Sequence, residues 1–204
     1  KNIAGKYNIP NRHGGGTAYM NAVDKNGLGV SLIQSNYFGI GSRIGVGSYG
    51  FFLHNRGCGF NLIKGHPNSL GPNKKPLHTL SPTIWSKDGS LDFITGTRGG
   101  RYQPQLLAQT ILPYILGETS FEEIMKKPRW TIEYFGANTS SNIKFEFIKE
   151  PKISSLEDKG HKISIENKLI GGYGPISTIY KNSEGNFIGV PDIRVGTEKA
   201  FNNS

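Results

Sequence analysis

The run Gly14-Gly15-Gly16 stops at Thr17, and the residues from Thr17 onward read as a strand. Three consecutive glycines make a permissive linker. Thr17 to Val23 then alternates loosely and reaches Asp24-Lys25-Asn26-Gly27. Asn-Gly between two such runs is the strongest short-range hairpin signal. Gly29 to Gln34 is the returning strand. Thr17 is therefore expected to open a strand directly after a flexible linker, and that junction constrains the rest of the reading.

Glycine is abundant, with 28 residues, and much of it falls in short clusters between hydrophobic runs. That pattern suits a β-rich chain with many turns. Gly39 to Gly50 matches neither G-x-G-x-x-G nor the phosphate-loop pattern, so it reads as a connection before a strand at Phe51-Phe52-Leu53. Phe60 to Lys75 is a long proline and glycine loop. A strand is expected over Leu77 to Trp85, a turn at Lys87-Asp88-Gly89 and a return over Leu91 to Thr95. Pro104 fits the first turn of a helix. Leu106, Leu107, Thr110, Ile111, Tyr114 and Ile115 give it an apolar stripe. Pro113 should kink or shorten this helix, and Gly117 ends it. Ser120 and Glu123 have capping-box spacing for a second helix, which Pro128 stops. Lys144 to Ile148, His161 to Ile165, Ser177 to Tyr180 and Asn186 to Val190 read as strands, the last two joined by Ser183-Glu184-Gly185. Two hairpins, two helices and further strands indicate an α+β or sandwich layout.

Composition removes several function classes. Apolar content is 35% and charged content 19%, enough for a core but not a generous one. The single cysteine, Cys58, allows no intrachain disulfide and no cysteine-built zinc cluster; it reads as a small packed residue. His13, His54, His66, His78 and His161 lack ligand spacing, so no metal and no cofactor is expected. Asp92 and Asp192 show no carboxylate partner for glycosidase chemistry. The net charge of +9 is compatible with a nucleic-acid surface or with one part of a larger assembly. The lysines and arginines are scattered and form no basic tail, so no nucleic acid is expected. No apolar run of about 20 residues is present to span a bilayer, and Lys1 to Gly16 has no apolar signal-peptide region. No membrane association is expected.

A threonine hydroxyl is a weak nucleophile and needs a neighbouring base. If the peptide bond before Thr17 is cut, the new α-amino group supplies that base, with an ordinary pKa of about 7.7–8.0. Taken alone, Gly-Gly-Thr is more often simply a loop.

The flanking residues carry more. Thr17-Ala18-Tyr19-Met20-Asn21-Ala22-Val23-Asp24-Lys25-Asn26-Gly27 with Val30-Ser31-Leu32 resembles the start of a gamma-glutamyltranspeptidase small subunit. Further blocks come in that family's order: Phe38-Gly39 with Gly41-Ser42, Gly50 to Phe60, and Pro72 to Leu77 with Leu80-Ser81-Pro82-Thr83. Gly99-Gly100, Pro128-Arg129 and the tail Gly171 to Ala200 complete the likeness. It implies the four-layer αββα sandwich of the N-terminal-nucleophile hydrolases. Residues 1–16 would be the tail of a large subunit and residues 17–204 the small-subunit catalytic domain. It implies autocleavage between Gly16 and Thr17. Acyl transfer or hydrolysis of gamma-glutamyl or related amides would then run through a Thr17 acyl-enzyme. Ser35 stands where the family has a supporting threonine, and Gly99 and Gly100 match its oxyanion-hole glycines. Substrate-binding positions fall at Asn36, Asn55, Arg56, His78 and Thr79.

The substrate block departs from the family pattern. The aspartate that grips a substrate α-amino group is replaced by Gly59, and the Gln or Glu three residues earlier by Arg56. An arginine there suits a carboxylate. The implied partner is a large subunit from the same precursor, forming a heterodimer or a dimer of heterodimers. The implied ligand is a small gamma-glutamyl-like amide. The alternative is a catalytically inactive or unprocessed relative with a binding or structural role. The compartment, cytoplasmic or periplasmic/extracellular, stays open.

Overall fold

The Asn26-Gly27 turn closes a hairpin between β1 (Gly15–Val23) and β2 (Gly29–Phe38). Asp24 serves the turn, as expected: its Oδ1 accepts from the N–H groups of Asn26 at 2.9 Å and Leu28 at 2.8 Å. Gly27 takes the positive φ (+84°) that such a turn requires. The structure, a computed structural model, describes residues 15–134, 141–147, 153–196 and 200–201.

After β2 the chain runs through irregular segments to β3 (Thr83–Lys87) and β4 (Ser90–Thr97). Helices α1 (Gln103–Ile115) and α2 (Phe121–Lys126) come next, then β5 (Trp130–Tyr134), β6 (Ser141–Glu146), the short α3 (Ile153–Glu157) and β7 (Lys162–Glu166). β8 (Ile176–Lys181) and β9 (Phe187–Val190) close the described elements. Among the described residues three sheets result: the β1-β2 hairpin, a four-stranded sheet in the order β3-β4-β8-β9, and a three-stranded sheet in the order β5-β6-β7.

β4 is the central layer, and its alternation decides what packs where. Phe93 points to the helices, in a core with Leu106, Leu107, Ile111, Phe121 and Ile124. Ile94 and Gly96 face the hairpin. A Cβ placed on Gly96 would collide with the Tyr19 ring, and one on Gly29 would meet Ile94 Cδ1 at 2.5 Å. A bulge between the pairs Trp85↔Phe93 and Ser86↔Leu91 shifts the alternation by one, so Leu91 also reaches the hairpin beside Gly29. Asn21 Nδ2 donates to Ser177 O at 3.1 Å, tying the hairpin to β8. The layers are thus hairpin, sheet, helices. On the outer face of the hairpin Met20 is 47% exposed, Val30 53% and Leu32 48%.

Several sequence expectations need correction. Thr17, expected to open its strand directly after a glycine linker, is the third residue of β1, in which Gly15 already pairs with Phe38. Phe51-Phe52-Leu53 is not a strand; Phe52 makes only an isolated bridge to Gly45. The strand expected over Leu77 to Trp85 begins only at Thr83. Pro82 has no N–H to donate to a ladder, and the Ser81 N–H is taken by the Gln103 side chain at 3.0 Å. β5 and α3 have no clear sequence signal. β5 is held by two helix glutamines: Gln109 exchanges two hydrogen bonds with the Trp130 backbone, and Gln105 Oε1 accepts from Ile132 N. Pro113 falls in the last turn of α1, where the helix continues to Ile115. Ser120 caps α2 through Glu123 N at 3.4 Å. Ile148, the expected end of the strand beginning near Lys144, lies outside the described residues. Cys58, expected to be packed, is exposed.

Four charges are buried together beneath this framework. Arg129 Nη1 meets Asp192 Oδ2 at 2.6 Å, and Arg194 pairs with both Glu146 and Asp192. Most of the remaining hydrogen-bonding capacity goes to backbone, apart from Arg129 Nη2, which donates to Met125 Sδ. Arg194 donates to Met125 O and Lys127 O, and Arg129 to Tyr173 O and Gly174 O. Glu146 accepts from the N–H groups of Arg129 and Ile170, and Asp192 from that of Ile176. Burial pushes Arg129 down to about 10, opposed by the nearby Asp192, which leaves it charged at neutral pH.

Glu146→Ala leaves the Arg194 cation buried without its main partner and should cost about 3–5 kcal/mol. Glu123→Ala, at an exposed pair, should stay within about 1 kcal/mol; denaturant titration of the assembled protein compares them. The Tyr180 hydroxyl donates to Glu122 Oε1 at 2.7 Å. Burial first, then Glu122, pushes Tyr180 up to about 12. A raised value means this contribution is full below the usual tyrosine range near 10 and is lost as pH rises through about 12. Glu122→Gln should move that tyrosine's ultraviolet titration downward.

Candidate functional site

Thr17 enters β1 half-buried, on the face that Tyr19 and Asn21 turn toward the four-stranded sheet. Its Oγ1 donates to Ser35 Oγ at 2.7 Å across the hairpin, and the two residues are register partners. Ser35 Oγ also accepts from Tyr37 N at 3.0 Å. The Thr17 proton is therefore directed at Ser35, leaving the oxygen's lone pairs available on other sides.

The ladder is irregular at this point. Gly15 pairs with Phe38 and Thr17 with Ser35, so Asn36 and Tyr37 together stand opposite the single residue Gly16. Tyr37 carries the resulting twist with φ of 77°, an uncommon conformation for a bulky residue. A Cβ on Gly16 would run into the Gly39 carbonyl oxygen, which explains why glycine precedes the threonine. An open recess of about 260 Å³ beside Thr17 is lined by Gly16, Thr17, Ala18, Gln34 and Asn36.

From Tyr37 the contacts continue around the site. Arg56 Cζ lies 5.1 Å from the Tyr37 ring centroid, a cation–π distance. Arg56 Nη1 donates to Thr79 Oγ1 at 3.4 Å, and both residues are buried. Two residues on, Ser81 N donates to Gln103 Oε1. Gln103 is fully buried and comes directly after the Gly100–Tyr102 turn. Asn55 clamps the end of β2: Oδ1 accepts from Phe38 N at 3.0 Å, and Nδ2 donates to Phe38 O and Gly41 O.

The structure thus connects Thr17, Ser35, Arg56 and Thr79 through Tyr37, with Asn36 and Asn55 beside them. His78 is exposed. Arg56, Thr79, Gly99 and Gly100 do not line the recess at Thr17. Gly99 and Gly100 sit just beyond Gly96, against which Tyr19 stacks, and both have positive φ. Their turn is braced from behind. Thr97 Oγ1 donates to Arg98 O at 2.8 Å and to Pro175 O at 3.2 Å, while Gly174 packs directly on the Arg98 carbonyl. Gly174 O in turn accepts from Arg129 at 2.8 Å. Sequence reasoning misses Tyr37, Gln103 and Gly174, because none carries a motif. A helix-starting glutamine beside a Gly-Gly pair is the one available hint. Among the described residues no three His, Cys, Asp or Glu side chains gather as metal ligands would, and no helix is long and apolar enough to cross a membrane.

Comparison with known proteins finds relatives of the chain as a whole. The gamma-glutamyltranspeptidase family model matches residues 2–201. An oxamate amidohydrolase proenzyme of Klebsiella pneumoniae is 32% identical over 181 residues, covering 88% of this chain and 34% of that protein. A glutathione hydrolase-like YwrD proenzyme of Bacillus subtilis is 33% identical over 169 residues, covering 80% and 30%. This chain spans about a third of the length of these relatives. A solved gamma-glutamyltranspeptidase from Pseudomonas nitroreducens complexed with L-DON superposes with a TM-score of 0.74 at 19% identity, covering 91% of this chain and 99% of that one. The fold is accordingly the one expected: an α+β N-terminal-nucleophile hydrolase sandwich, of which this chain holds two sheet layers and a helical layer.

Gly174→Ala should disturb the glycine turn specifically. Its φ of +58° and the contact with Arg98 O leave no room for a methyl group. We expect a loss of about 2 kcal/mol or more in a denaturant titration. Gly57→Ala, with nothing near its Cβ position, should change stability by about 0.5 kcal/mol at most.

Proposed function

The chain belongs to the gamma-glutamyltranspeptidase family, and from that premise we propose that it is the nucleophile-bearing part of a self-cleaving acyl-transfer enzyme. The observation that carries this reading is the Thr17 hydroxyl near the start of β1, 2.7 Å from Ser35 Oγ and beside the bulge at Tyr37.

Two steps use the same oxygen. In the first, Thr17 Oγ1 attacks the Gly16 carbonyl carbon. The Gly16–Thr17 C–N bond breaks, an ester to Oγ1 forms, and the released nitrogen takes up a proton as the α-amine. Water then hydrolyses the ester, leaving a Gly16 carboxylate and a free Thr17. Residues 1–16 become the tail of the upstream subunit, and 17–204 the catalytic domain.

In the second step the neutral α-amine accepts the Oγ1 proton as Oγ1 attacks a substrate amide. The proton passes to the departing amine, and the acyl group stays on Thr17 as an ester. Water or an acceptor amine then attacks the ester carbonyl, the α-amine takes that nucleophile's proton, and Oγ1 is regenerated with it. Ser35 holds the hydroxyl in register. The Gly99 and Gly100 N–H groups receive the developing oxyanion, a role worth about 2.7–4 kcal/mol per donor. Asn36, Asn55, Arg56, Thr79 and the exposed His78 belong to the substrate side.

A large subunit from the same precursor completes the assembly as a heterodimer. The half-exposed Met20, Val30 and Leu32 face is the surface it covers, and the +9 charge of this chain is offset there. The acyl group comes from a small amide of the gamma-glutamyl or oxamate kind, the substrates named for the family and for the Klebsiella relative.

Thr17→Ala in the full precursor should leave one uncleaved chain by intact mass and no turnover of an acyl anilide. A variant that still cleaves and still hydrolyses removes Thr17 from the mechanism. Ser35→Thr should retain processing, while Ser35→Ala loses about tenfold in rate, one hydrogen bond's worth. In the mature wild type the α-amine must be neutral, so kcat/KM should rise as pH rises through about 7.7–8.0.

A further inference from the structure

Where the hairpin meets the four-stranded sheet, two glycines are each filled by a side chain from the opposite layer. The Tyr19 ring of β1 occupies the space where a side chain at Gly96 of β4 would stand. A Cβ there would collide with its Cδ2, Cε2 and Cζ. Ile94 of β4 in turn occupies the space at Gly29 of β2, with Leu91 beside it. This exchange fixes the hairpin along β4, because close-packed layers cannot slide without opening a void or forcing a clash. The Tyr19 hydroxyl shares a hydrogen bond with Ser31 Oγ at 2.9 Å, which ties the ring to both strands of the hairpin.

The contacts also have an order. Along β4 they run Leu91, Ile94, Gly96, toward the strand's end at Thr97. Along the hairpin they run from Gly29, the register partner of Val23, to Tyr19. Asn21 lies between those two positions on β1 and donates to Ser177 O, and Ser177 is the register partner of Gly96 on β8. β1 therefore runs against the direction of β4. Thr17 stands two residues before Tyr19 on the same face of β1, about 7 Å along a strand. Beyond Gly96, β4 leads through Thr97 and Arg98 into Gly99-Gly100. Thr17 and the glycine turn thus lie toward the same end of the layer contact, and Tyr19 on Gly96 is the last of these contacts before both.

We propose that Tyr19 is a positioning residue for acyl transfer: its ring, seated in the gap at Gly96, sets the spacing between the Thr17 hydroxyl and the Gly99-Gly100 N–H groups. This rests on the acyl-transfer reading of Thr17. A misplacement of about 1 Å between reacting groups can cost about 100-fold in rate, while groups that only hold the substrate are left as they were. The signature is a loss in kcat with KM little changed.

The test uses the processed full-length enzyme with gamma-glutamyl and glutaryl p-nitroanilides, and rates are expressed per processed chain, counted by intact mass. Gly96→Ala puts a methyl group against the ring and should lower kcat about 100-fold, with KM within about threefold of the wild type. Tyr19→Val empties the gap without a clash and should lower kcat about tenfold. In the double variant the methyl group takes up space the ring has left, so it should turn over about tenfold faster than Gly96→Ala alone. Tyr19→Phe keeps the ring and should stay within about threefold of the wild type.

Tyr19→Val with the wild-type kcat overturns the inference, and this variant carries the test if Gly96→Ala does not process. A double variant in which the two losses multiply also overturns it, since that is the behaviour of independent sites. So does a Tyr19→Phe variant as impaired as Tyr19→Val, which assigns the role to the hydroxyl. Fewer processed chains at an unchanged kcat per chain, or no processing in any of the three variants carrying Gly96→Ala or Tyr19→Val, makes the contact one of folding alone and overturns it too. Failure of the underlying acyl-transfer mechanism looks different, because Thr17→Ala would then keep its turnover.

Discussion

The buried set Arg129, Asp192, Arg194 and Glu146 is the interaction on which the rest depends. It joins the start of β5, the end of β6, the end of α2, the segment before β8 and the chain after β9. Burying four charges is tolerable only because each also serves backbone groups that would otherwise be unsatisfied. Two cations and two anions leave this buried set without net charge. The result is a rigid point rather than a large apolar core, which suits a chain with 35% apolar residues.

Rigidity at that point reaches the candidate site. Arg129 holds the Gly174 carbonyl, Gly174 backs Arg98, and the Gly99-Gly100 turn comes next. On the other side, the β1-β2 hairpin is seated by Tyr19 over Gly96 and by Asn21 on Ser177. The strand that carries Thr17 and the glycine turn are therefore both referenced to β4. Preorganised donors are effective in catalysis because they need not reorganise as charge develops. In the proposed mechanism, a site assembled from two elements on one central strand meets that need.

Much of this was legible in the chain itself. The hairpin turn, the strand that carries Thr17, helices α1 and α2, the α2 cap and the β8-β9 turn all rest on local chemistry that a one-dimensional pattern records, although that strand already includes Gly15 and Gly16, which read as linker. β5 was not legible, because its edge is held by Gln105 and Gln109 from a different element. The strand pattern over Leu77 to Trp85 overruns the real strand, because Pro82 and a side-chain acceptor on α1 take the segment out of the ladder. Residue type alone points to a packed Cys58, whereas its turn leaves it exposed. Asp192 shows no carboxylate partner in the sequence, and its partners in the fold are two arginines.

The sequence by itself determined where Thr17 sits and which local structure presents it. A Gly-rich linker, an alternating run and an Asn-Gly turn are nearest-neighbour properties. Only the tertiary structure decided what surrounds that threonine. The Tyr37 bulge arises from a register offset between two strands. The Arg56 and Gln103 side chains are both fixed by residues 79–81, through Thr79 Oγ1 and Ser81 N. The support of the glycine turn comes from Arg129 through Gly174. These are contacts between residues far apart in the chain, and their physical content, burial and hydrogen bonding, exists only once the layers have closed.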